Sequence, residues 1–310
     1  MIITLTLNPA VDQTVWVPHL EVAAVNRARQ AHLDPAGKGV NVSRMAHRLG
    51  WPTIAFGFLA GEVGEIVRQA LAAEGVAQQF IPIAGQTRIN VTVVDDSSHA
   101  ATSIFCPGPA VEPDHLQQLD AVLQFWLQAG RVLVLAGSLP PGIPEDAYAR
   151  YIRLAHAQGI RTILDASGVH LRLGVEARPY AIKPNVAEAE ELLGRRLPDL
   201  DAVVAGAQEL AARGIAVVVI SMGAQGAICV EGGRVWRATP PEVERQSTVG
   251  SGDSFVAGLA VALARGEGVE AGLRLGTAAG AATAATPGTE LGSAEAVQAL
   301  LPQVRVVRVG

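Results

Sequence analysis

The stretch Ser247-Thr-Val-Gly-Ser-Gly-Asp-Ser-Phe-Val-Ala-Gly258 joins a glycine-rich turn to the start of an apolar run. Gly250 and Gly252 flank Ser251 in a turn whose backbone N–H groups can converge on an anion. The apolar run that follows predicts a buried helix with its N-terminus aimed at that anion. Asp253 would repel a bound phosphate if it were only a neighbour, but it is well placed to take a proton from an attacking hydroxyl. An anion-binding turn beside a base indicates phosphoryl transfer.

A second interpretation of the same tetrapeptide is structural. Gly-Ser-Gly-Asp is also compatible with an ordinary turn whose aspartate caps the next helix, a position that aspartate favours. Short glycine motifs occur by chance in many sequences. The rest of the chain therefore has to distinguish the two interpretations.

Composition excludes several classes of protein. The chain has 310 residues, of which 49% are hydrophobic and 17% charged, so we expect a large buried core rather than disorder. The formal net charge is −5 and no basic run is present, which argues against nucleic acid or an anionic membrane as a partner. A locally positive pocket for a small anion remains compatible with this charge.

Cysteine usage and the chain start indicate a reduced, cytoplasmic protein. Cys106 and Cys229 show no metal-ligand spacing and no Cys-x-x-Cys, which favours incidental core cysteines. The N-terminus lacks the basic and apolar regions of a signal peptide. The small-residue tract from Phe255 to Ala285 is interrupted by charges such as Arg265 and Glu270, so it predicts two buried helices and no membrane span.

Lysine is nearly absent from this chain. Of its 24 basic residues only Lys38 and Lys183 are lysines, and the others are arginines. A compact ammonium and a planar guanidinium serve different purposes, so these two positions indicate a ligand role for at least one lysine. Chance survival of two lysines is the alternative.

Alternating strand and helix patterns predict an α/β fold with a mostly parallel central sheet covered by helices. The predicted helices cover residues 40–49, 62–74, 114–128, 144–158, 186–193 and 202–213, with two more in 255–285. The predicted strands of the main sheet cover residues 2–7, 53–59, 79–83, 131–136, 161–165, 180–182 and 216–220, with a hairpin at 226–236.

Two further regions differ from this pattern. Residues 86–94 and 101–106 alternate like paired strands around Asp95-Asp-Ser-Ser98, which is a hairpin signal. Residues 15–17 and 25–33 are predicted to form short strands. Asp12 is predicted to lie in the loop before them, and residues 34–39 interrupt the strand pattern. Together, residues 13–33 and 86–106 predict a small separate sheet that acts as a lid, and we expect one domain over residues 1–310.

Ligands of such sheets bind beyond the carboxyl ends of the strands. Six of these ends in the predicted fold carry glycine, serine, aspartate or lysine. They are residues 8–12, 136–142, 165–168, 183–185, 221–226 and 247–258. This convergence favours a functional site over an isolated turn.

These motifs resemble the ribokinase-like, or PfkB, family of sugar kinases along nearly the whole chain. Thr248-Val-Gly-Ser-Gly-Asp-Ser254 is similar to its C-terminal signature and Ala36-Gly-Lys-Gly-Val-Asn-Val42 to its N-terminal one. The segments 6–12, 87–91, 137–140, 183–185 and 194–198 resemble the 1-phosphofructokinase branch, and tagatose-6-phosphate kinases and 6-phosphofructokinases share many of them. The resemblance implies a three-layer sandwich with a small β-sheet lid.

The resemblance also implies roles for single residues. Asp253 would be the catalytic base, and the N–H groups of Gly250, Ser251, Gly252 and Asp253 would hold the developing charge. The implied substrate-binding residues are Asp12, Gly37, Lys38, Gly39, Asn41, Arg88, Asn90 and Ser138. Among them Arg88, Lys38 and Ser138 would bind the phosphate already on the sugar, although Arg88 could equally be a solvated lid arginine. Gly37 and Gly39 would let the backbone approach the sugar.

On the nucleotide side, Lys183, Asn185, Ser221, Gly223 and Gly226 would bind ATP. Glu188 would hold Mg²⁺ through water, with Asn185 in the family's Asn-x-x-Glu element. The same pair is also typical of a helix start with a capping box, and both roles can hold together. A homodimer through the lid sheets is implied as well.

Three departures from the family pattern leave all charged groups in place. Where the family usually has Gly-Ala-Gly-Asp, this chain has Gly250-Ser-Gly-Asp253. Where the family has Ser-Gly-Ser and two adjacent glycines, it has Ala136-Gly-Ser138 and Ala36-Gly37. A Rossmann enzyme is excluded by Asn8-Pro-Ala10 after the first strand, and a P-loop kinase lacks its upstream glycine. A non-catalytic sugar-phosphate sensor would be expected to lose the base, which is present. We therefore predict an ATP- and Mg²⁺-dependent kinase of a ketohexose phosphate, with fructose 1-phosphate as the first candidate substrate and tagatose 6-phosphate and fructose 6-phosphate as the alternatives.

Overall fold

Strands and helices alternate along the chain in a computed structural model that describes residues 1–98 and 100–309. The strands are β1 Ile2–Thr6, β2 Ala10–Val17, β3 Gln30–Ala36, β4 Thr53–Ala60, β5 Ala77–Ile83, β6 Arg88–Asp95, β7 Ala100–Ile104, β8 Val132–Ala136, β9 Arg161–Asp165, β10 Ala181–Ile182, β11 Val217–Ser221, β12 Ala227–Glu231, β13 Arg234–Thr239 and β14 Arg305–Arg308. The helices are α1 Lys38–Arg48, α2 Gly61–Ala73, α3 Pro113–Leu127, α4 Ala147–Ala157, α5 Gly168–Glu176, α6 Val186–Leu193, α7 Leu200–Ala212, α8 Ser251–Arg265, α9 Val269–Ala284 and α10 Ala294–Leu300.

The large sheet has the strand order β14-β13-β12-β11-β10-β9-β8-β1-β4-β5. From β11 to β5 neighbouring strands are parallel, and β12, β13 and β14 add an antiparallel edge. The chain leaves β1 toward β4 on one side and later fills β8 and its followers on the other. A crevice at this reversal, beyond the carboxyl ends of β1 and β8, is the expected ligand site.

Helices cover both faces of the large sheet, which gives the three layers predicted from the sequence. One core packs α3, α4 and α7 against side chains such as Ile3 and Leu133. The opposite core packs α1, α8 and α9 against the alternate side chains, such as Ile2 and Val132. The strands in the middle of the sheet, such as β8, are largely apolar, and both of their faces are buried.

A second sheet of order β3-β2-β6-β7 lies apart from the large one, as predicted. Its pairing of β2 with β6 is parallel, and its outer strands pair antiparallel. The turn between β6 and β7 contains His99, which lies outside the described residues. All of β7 and the first four residues of β3 are exposed.

Some predicted boundaries were wrong. Asp12 lies inside β2 and not in a loop, because the chain re-enters a sheet immediately after Pro9 to pair with β6, which is distant in sequence. The strand predicted at residues 25–33 begins only at Gln30 and runs through Ala36, where it pairs with Ala10. Helices α5 and α10 and strand β14 were not predicted. Within the described residues, none of the helices has both the length and the apolar character needed to cross a bilayer.

Candidate active site

One cavity of about 1300 Å³ opens beyond the carboxyl ends of the parallel strands. It is lined by all of the residues proposed from the sequence except Gly39. The lining includes Asp12, Gly37, Lys38, Asn41, Arg88, Asn90, Ser138, Lys183, Asn185, Glu188, Ser221, Gly223, Gly226, Gly250, Ser251, Gly252 and Asp253. The fold therefore gathers residues from both ends of the chain around a single space.

The turn at the start of α8, which we call the anion-binding turn, lines this cavity. Gly250 precedes the helix with φ 76°, a left-handed conformation that suits glycine. The first helical hydrogen bond runs from the Ser254 N–H to the Gly250 carbonyl, so the N–H groups of residues 251–253 precede the helical ladder. No side chain among the described residues caps this end. The interpretation of Asp253 as a helix cap is wrong, since it lies inside the first turn.

Asp253 itself is 7% exposed, and its Oδ2 accepts a hydrogen bond of 2.8 Å from Asn41 Nδ2. Burial raises its pKa to about 6, against the opposing effect of the Lys38 ammonium. A carboxylate with this pKa is ionised at neutral pH and still basic enough to accept a proton in a transition state. Asn41, proposed to bind sugar hydroxyls, donates to the base and so fixes its orientation; a sugar contact stays a prediction.

The two lysines of the chain meet at one buried carboxylate, Asp165, which ends β9. Lys38 Nζ lies 3.1 Å and Lys183 Nζ 3.5 Å from Asp165 Oδ1. Burial alone would raise the pKa of Asp165, but the two ammonium groups outweigh it and hold this pKa below its usual value. Asp165 in turn raises the pKa of Lys38, which stays charged. Sequence reasoning had given Asp165 no role, because nothing in its local motif shows that two distant lysines converge on it.

A second cationic group, Arg88, lines the cavity where the end of β1 meets the small sheet. Arg88 donates to the carbonyls of Asn8, at 2.9 Å, and Cys106, at 3.2 Å, and burial lowers its pKa. The Arg88 side chain is half-buried and makes these two hydrogen bonds, so the alternative interpretation of Arg88 as a freely solvated arginine of the lid does not hold. Asn8 Nδ2 donates to Ser138 Oγ at 3.1 Å, which places Ser138 in the same group.

Asp12 and Asn90 form a polar pair beside Arg88 on adjacent strands of the small sheet. Asn90 Nδ2 donates to Asp12 Oδ1 at 2.8 Å. Burial raises the pKa of Asp12, and the Asn90 hydrogen bond and the Arg88 charge oppose that shift. The pair presents a carboxylate and an amide to the cavity, which is the chemistry that recognises sugar hydroxyls.

Asn185 and Glu188 form a complete capping box at the start of α6. The Glu188 N–H donates to Asn185 Oδ1, the Asn185 N–H donates to Glu188 Oε2, and both distances are 2.9 Å. The structural interpretation of this pair is confirmed, and both residues also line the cavity. Gly223 and Gly226, with φ of 59° and 90°, close a tight turn after β11 on the same side.

Packing against β1 explains why residues 37 and 39 are glycines. A Cβ on Gly37, at φ 120°, would lie 2.8 Å from Thr6 Cγ2, and one on Gly39 would collide with Thr6 Oγ1. Both glycines therefore let the start of α1 approach the end of β1. Gly39 is buried away from the cavity, so a direct sugar contact by it is not supported by its position.

The sequence interpretation also missed one wall of the cavity. The loop at residues 240–245 and one face of α9 line it, including Thr277, Gly280, Ala281 and Ala284. Thr277 Oγ1 is buried and has no hydrogen-bond partner among the described residues. The available signal was the helical spacing of small residues in α9, which leaves room for a flat ligand against the helix.

Comparison with known proteins agrees with this geometry. The model of the pfkB family carbohydrate kinases matches residues 5–296. The chain is 40% identical to the 1-phosphofructokinase of Rhodobacter capsulatus over 98% of its own length and 97% of the relative. It is 35% identical to that of Bacillus subtilis, over 99% and 100%. A solved structure of phosphofructokinase-2 from Escherichia coli in complex with substrates and products is similar with a TM-score of 0.91 and 33% identity, over 97% and 98% of the two chains.

Proposed function

We propose, from the premise that this chain belongs to the pfkB family of carbohydrate kinases, that it transfers the γ-phosphoryl group of ATP to fructose 1-phosphate. The product would be fructose 1,6-bisphosphate. The observation that carries the proposal is Asp253, a buried carboxylate at an uncapped helix start that lines the same cavity as Lys38, Lys183 and Arg88. The proposal treats residues 1–310 as one kinase domain in which the small sheet acts as a lid.

In this proposal the two cationic regions receive different phosphates. Arg88 and Ser138 would bind the phosphate already on the sugar, and Asp12 with Asn90 would bind its hydroxyls. Lys183, Ser221 and the Gly223–Gly226 turn would bind the nucleotide, and the α9 wall lines the same cavity. The free hydroxyl at the far end of the sugar would then face Asp253.

Asp253 Oδ would take the proton of that hydroxyl while the hydroxyl oxygen forms a bond to the γ-phosphorus. The bond from the γ-phosphorus to the bridging oxygen breaks, and ADP leaves. Negative charge on the transferring group would be met by the N–H groups of residues 251–253 at the positive end of α8. The Asn41 amide keeps the basic oxygen oriented through these steps.

Mg²⁺ belongs to the proposal through Glu188. In residues 1–98 and 100–309 there is no group of three or more acidic, histidine or cysteine side chains able to hold a metal ion. Mg²⁺ keeps most of its water and is held largely by substrate phosphates, so a single carboxylate at the cavity would suffice for it. The half-buried Glu188 carboxylate, facing the cavity, would hold such an ion through water. When bound, the ion would neutralise charge on the phosphates of ATP.

The substrate is tested by an ADP-release assay with MgATP and four sugars: fructose 1-phosphate, fructose 6-phosphate, tagatose 6-phosphate and unphosphorylated fructose. We expect kcat/KM for fructose 1-phosphate to exceed each of the others by about tenfold or more, since binding the wrong end leaves Arg88 or the base unpaired. A higher value for fructose 6-phosphate or tagatose 6-phosphate would reassign the substrate within the family. No turnover with any of them would support a non-catalytic sensor.

A homodimer through the small sheet is the second part of the proposal. Apolar side chains on and beside this sheet are exposed, with Val22 at 89%, Val25 at 88% and Ile104 at 58%. Patches of this kind mark interaction sites, and a second copy of the chain would cover them symmetrically. We place the enzyme in the cytoplasm, where its unpaired Cys106 and Cys229 would stay reduced.

Ile104→Asp is expected to convert the dimer to a monomer, because it would bury a charge within the proposed interface. Light scattering at micromolar protein concentration measures the mass. Phe125→Asp is the matched control: Phe125 is 68% exposed but lies on α3, away from the small sheet. A monomeric mass for the unmodified protein would refute the dimer, and an equal loss of mass in both variants would refute this interface.

A further inference from the structure

The two lysines and Asp165 form a cluster whose geometry goes beyond binding a substrate phosphate. Asp165 is 1% exposed and is shared by both ammonium groups through Oδ1, while its Oδ2 has no hydrogen-bond partner in the part of the chain that is described. Lys183 is 5% exposed, and Lys38 is partly open to the cavity. The Asp165 carboxylate is therefore more deeply buried than the two lysines, and it holds both ammonium groups in place.

The position of each lysine relative to α8 follows from two further observations. A Cβ built on Gly252 would lie 3.3 Å from Lys183 Nζ, so this ammonium rests against the backbone of the anion-binding turn. The carboxylates that act on Lys38 are those of Asp165, Asp253 and Glu188. The groups that act on Arg88 are different, namely Asp12 and Cys106. Because Lys38 shares the Asp165 carboxylate with Lys183, and Lys183 lies against the anion-binding turn, Lys38 belongs to the region of the base and not to the Arg88 region.

This placement changes the expected role of Lys38. The sequence assigned it, with Arg88, to the phosphate already on the sugar. Its contact with Asp165 instead brings its ammonium close to Lys183 at the start of α8, where the proposed function has the phosphoryl group transferred. A phosphoryl group in transfer spreads charge over three oxygens, and fixed cations around it lower the barrier.

We propose that Asp165 is a positioning residue, which holds Lys38 and Lys183 together beside the α8 N-terminus so that both ammonium groups contact the transferred phosphoryl group. The catalytic part rests on the proposed kinase function, and the positioning part does not. Without the carboxylate, two ammonium groups would face each other unshielded and would move apart. Small misplacement of groups that contact a reacting centre lowers turnover steeply.

The scarcity of lysine makes the positioning directly observable. Protein grown with ¹³C-labelled lysine gives side-chain Cε signals from Lys38 and Lys183 alone, because the sequence has no third lysine. Lys38→Met and Lys183→Met each remove one signal and so assign the other. In the unmodified protein we expect the Lys38 signal to stay at its protonated position up to about pH 10.5, where an ordinary lysine is half-titrated.

Asp165→Asn keeps the shape of the side chain and removes its charge. We expect both lysine signals to shift, and the Lys38 signal to titrate at least about one pH unit lower than in the unmodified protein. We also expect kcat to fall about 10- to 100-fold while KM for ATP and for the sugar changes less than about threefold, the pattern of an interaction made in the transition state. Asp120→Asn is the control, since Asp120 also holds a cation, Arg150, at 2.6 Å but lies outside the cavity.

The outcomes separate the two parts. Unchanged lysine signals in Asp165→Asn, or a shift of one signal only, would overturn the positioning, whether or not the protein is active. Shifted signals with unchanged kcat would overturn the catalytic consequence. An unmodified protein that turns over none of the four sugars refutes the kinase function, and the spectra still test the cluster. If Asp165→Asn does not fold, Lys38→Met provides the test: a Lys183 signal that it leaves unmoved would refute a shared carboxylate.

Discussion

Asp253→Asn is expected to lower kcat by about two to four orders of magnitude and to leave KM for both substrates within about threefold. The amide has the size of the carboxylate and can still pair with Asn41, so the cavity keeps its shape. It cannot accept the proton of the attacking hydroxyl. Single-turnover and steady-state assays with MgATP and the preferred sugar phosphate measure the effect.

The buried carboxylate Asp34 supplies the matched control. It is 6% exposed and does not line the cavity, and its Oδ2 accepts a hydrogen bond of 2.5 Å from Thr289 Oγ1. Asp34→Asn should therefore keep kcat within about threefold. Turnover of Asp253→Asn close to that of the unmodified protein would exclude Asp253 as the base and with it the mechanism.

The pH dependence of kcat/KM provides a second test of Asp253 as the catalytic base. Burial raises the pKa of Asp253 to about 6, so kcat/KM should rise as pH increases through that value and the base becomes ionised. The substrate phosphates also titrate near pH 6. The decisive comparison is therefore with the residual activity of Asp253→Asn, which should lose the part of the acid limb that belongs to the base. An identical profile in both proteins would assign the whole limb to the substrates.

The free energy of unfolding should fall over the same pH range in which kcat/KM rises. The pKa of Asp253 is raised from 3.8 to about 6, so the folded state favours the protonated carboxyl. Above pH 6 the ionised group destabilises the fold by about 1 to 3 kcal/mol, and below pH 4 this effect is absent. Asp253→Asn should therefore have a higher Tm at pH 8 and a similar Tm near pH 4.

Local patterns in the sequence were sufficient for the parts of the fold that depend on neighbours along the chain. The apolar spacing of α1, the capping box at Asn185 and Glu188, and the turn at Gly250 are each contained in a few residues. For the same reason, nearly all of the residues proposed from the PfkB-like motifs line the cavity. β2 was missed at its start because Asn8-Pro9 is a local turn signal, while the pairing partner of Ala10 is Arg88, far along the chain.

The remaining features depend on contacts that no local pattern contains. Asp165 has its role only because the parallel sheet brings it to Lys38, 127 positions away. The glycines of the Ala36-Gly-Lys-Gly39 motif appeared to serve a ligand, yet Gly39 is explained by Thr6 on a neighbouring strand. Motifs therefore brought together residues that line one cavity, and only the packing showed which of them also support neighbouring parts of the protein.

Gly258→Ala is expected to be the most destabilising single-methyl addition in α8. This residue ends the signature stretch and lies where α8 crosses α9. A Cβ there would lie 2.5 Å from the Gly276 nitrogen and 2.6 Å from its Cα. Because these atoms are backbone, no side-chain rotation can relieve the overlap. The helices must separate, and we expect a loss of about 3 kcal/mol of unfolding free energy, which exceeds the helix-propensity gain of about 1 kcal/mol.

Gly272→Ala is the control within the same helix pair. Its nearest atom would be Leu259 Cδ1 at 2.8 Å, the far end of a flexible side chain that can turn away. With the propensity gain, its effect should stay within about 1 kcal/mol of zero. Urea unfolding of the two variants measures the difference. Equal midpoints would mean that the α8–α9 crossing is not the rigid contact on which the anion-binding turn depends. A selective loss in Gly258→Ala, accompanied by lower kcat in the folded fraction, would show that this helix crossing holds Asp253 and the turn in position.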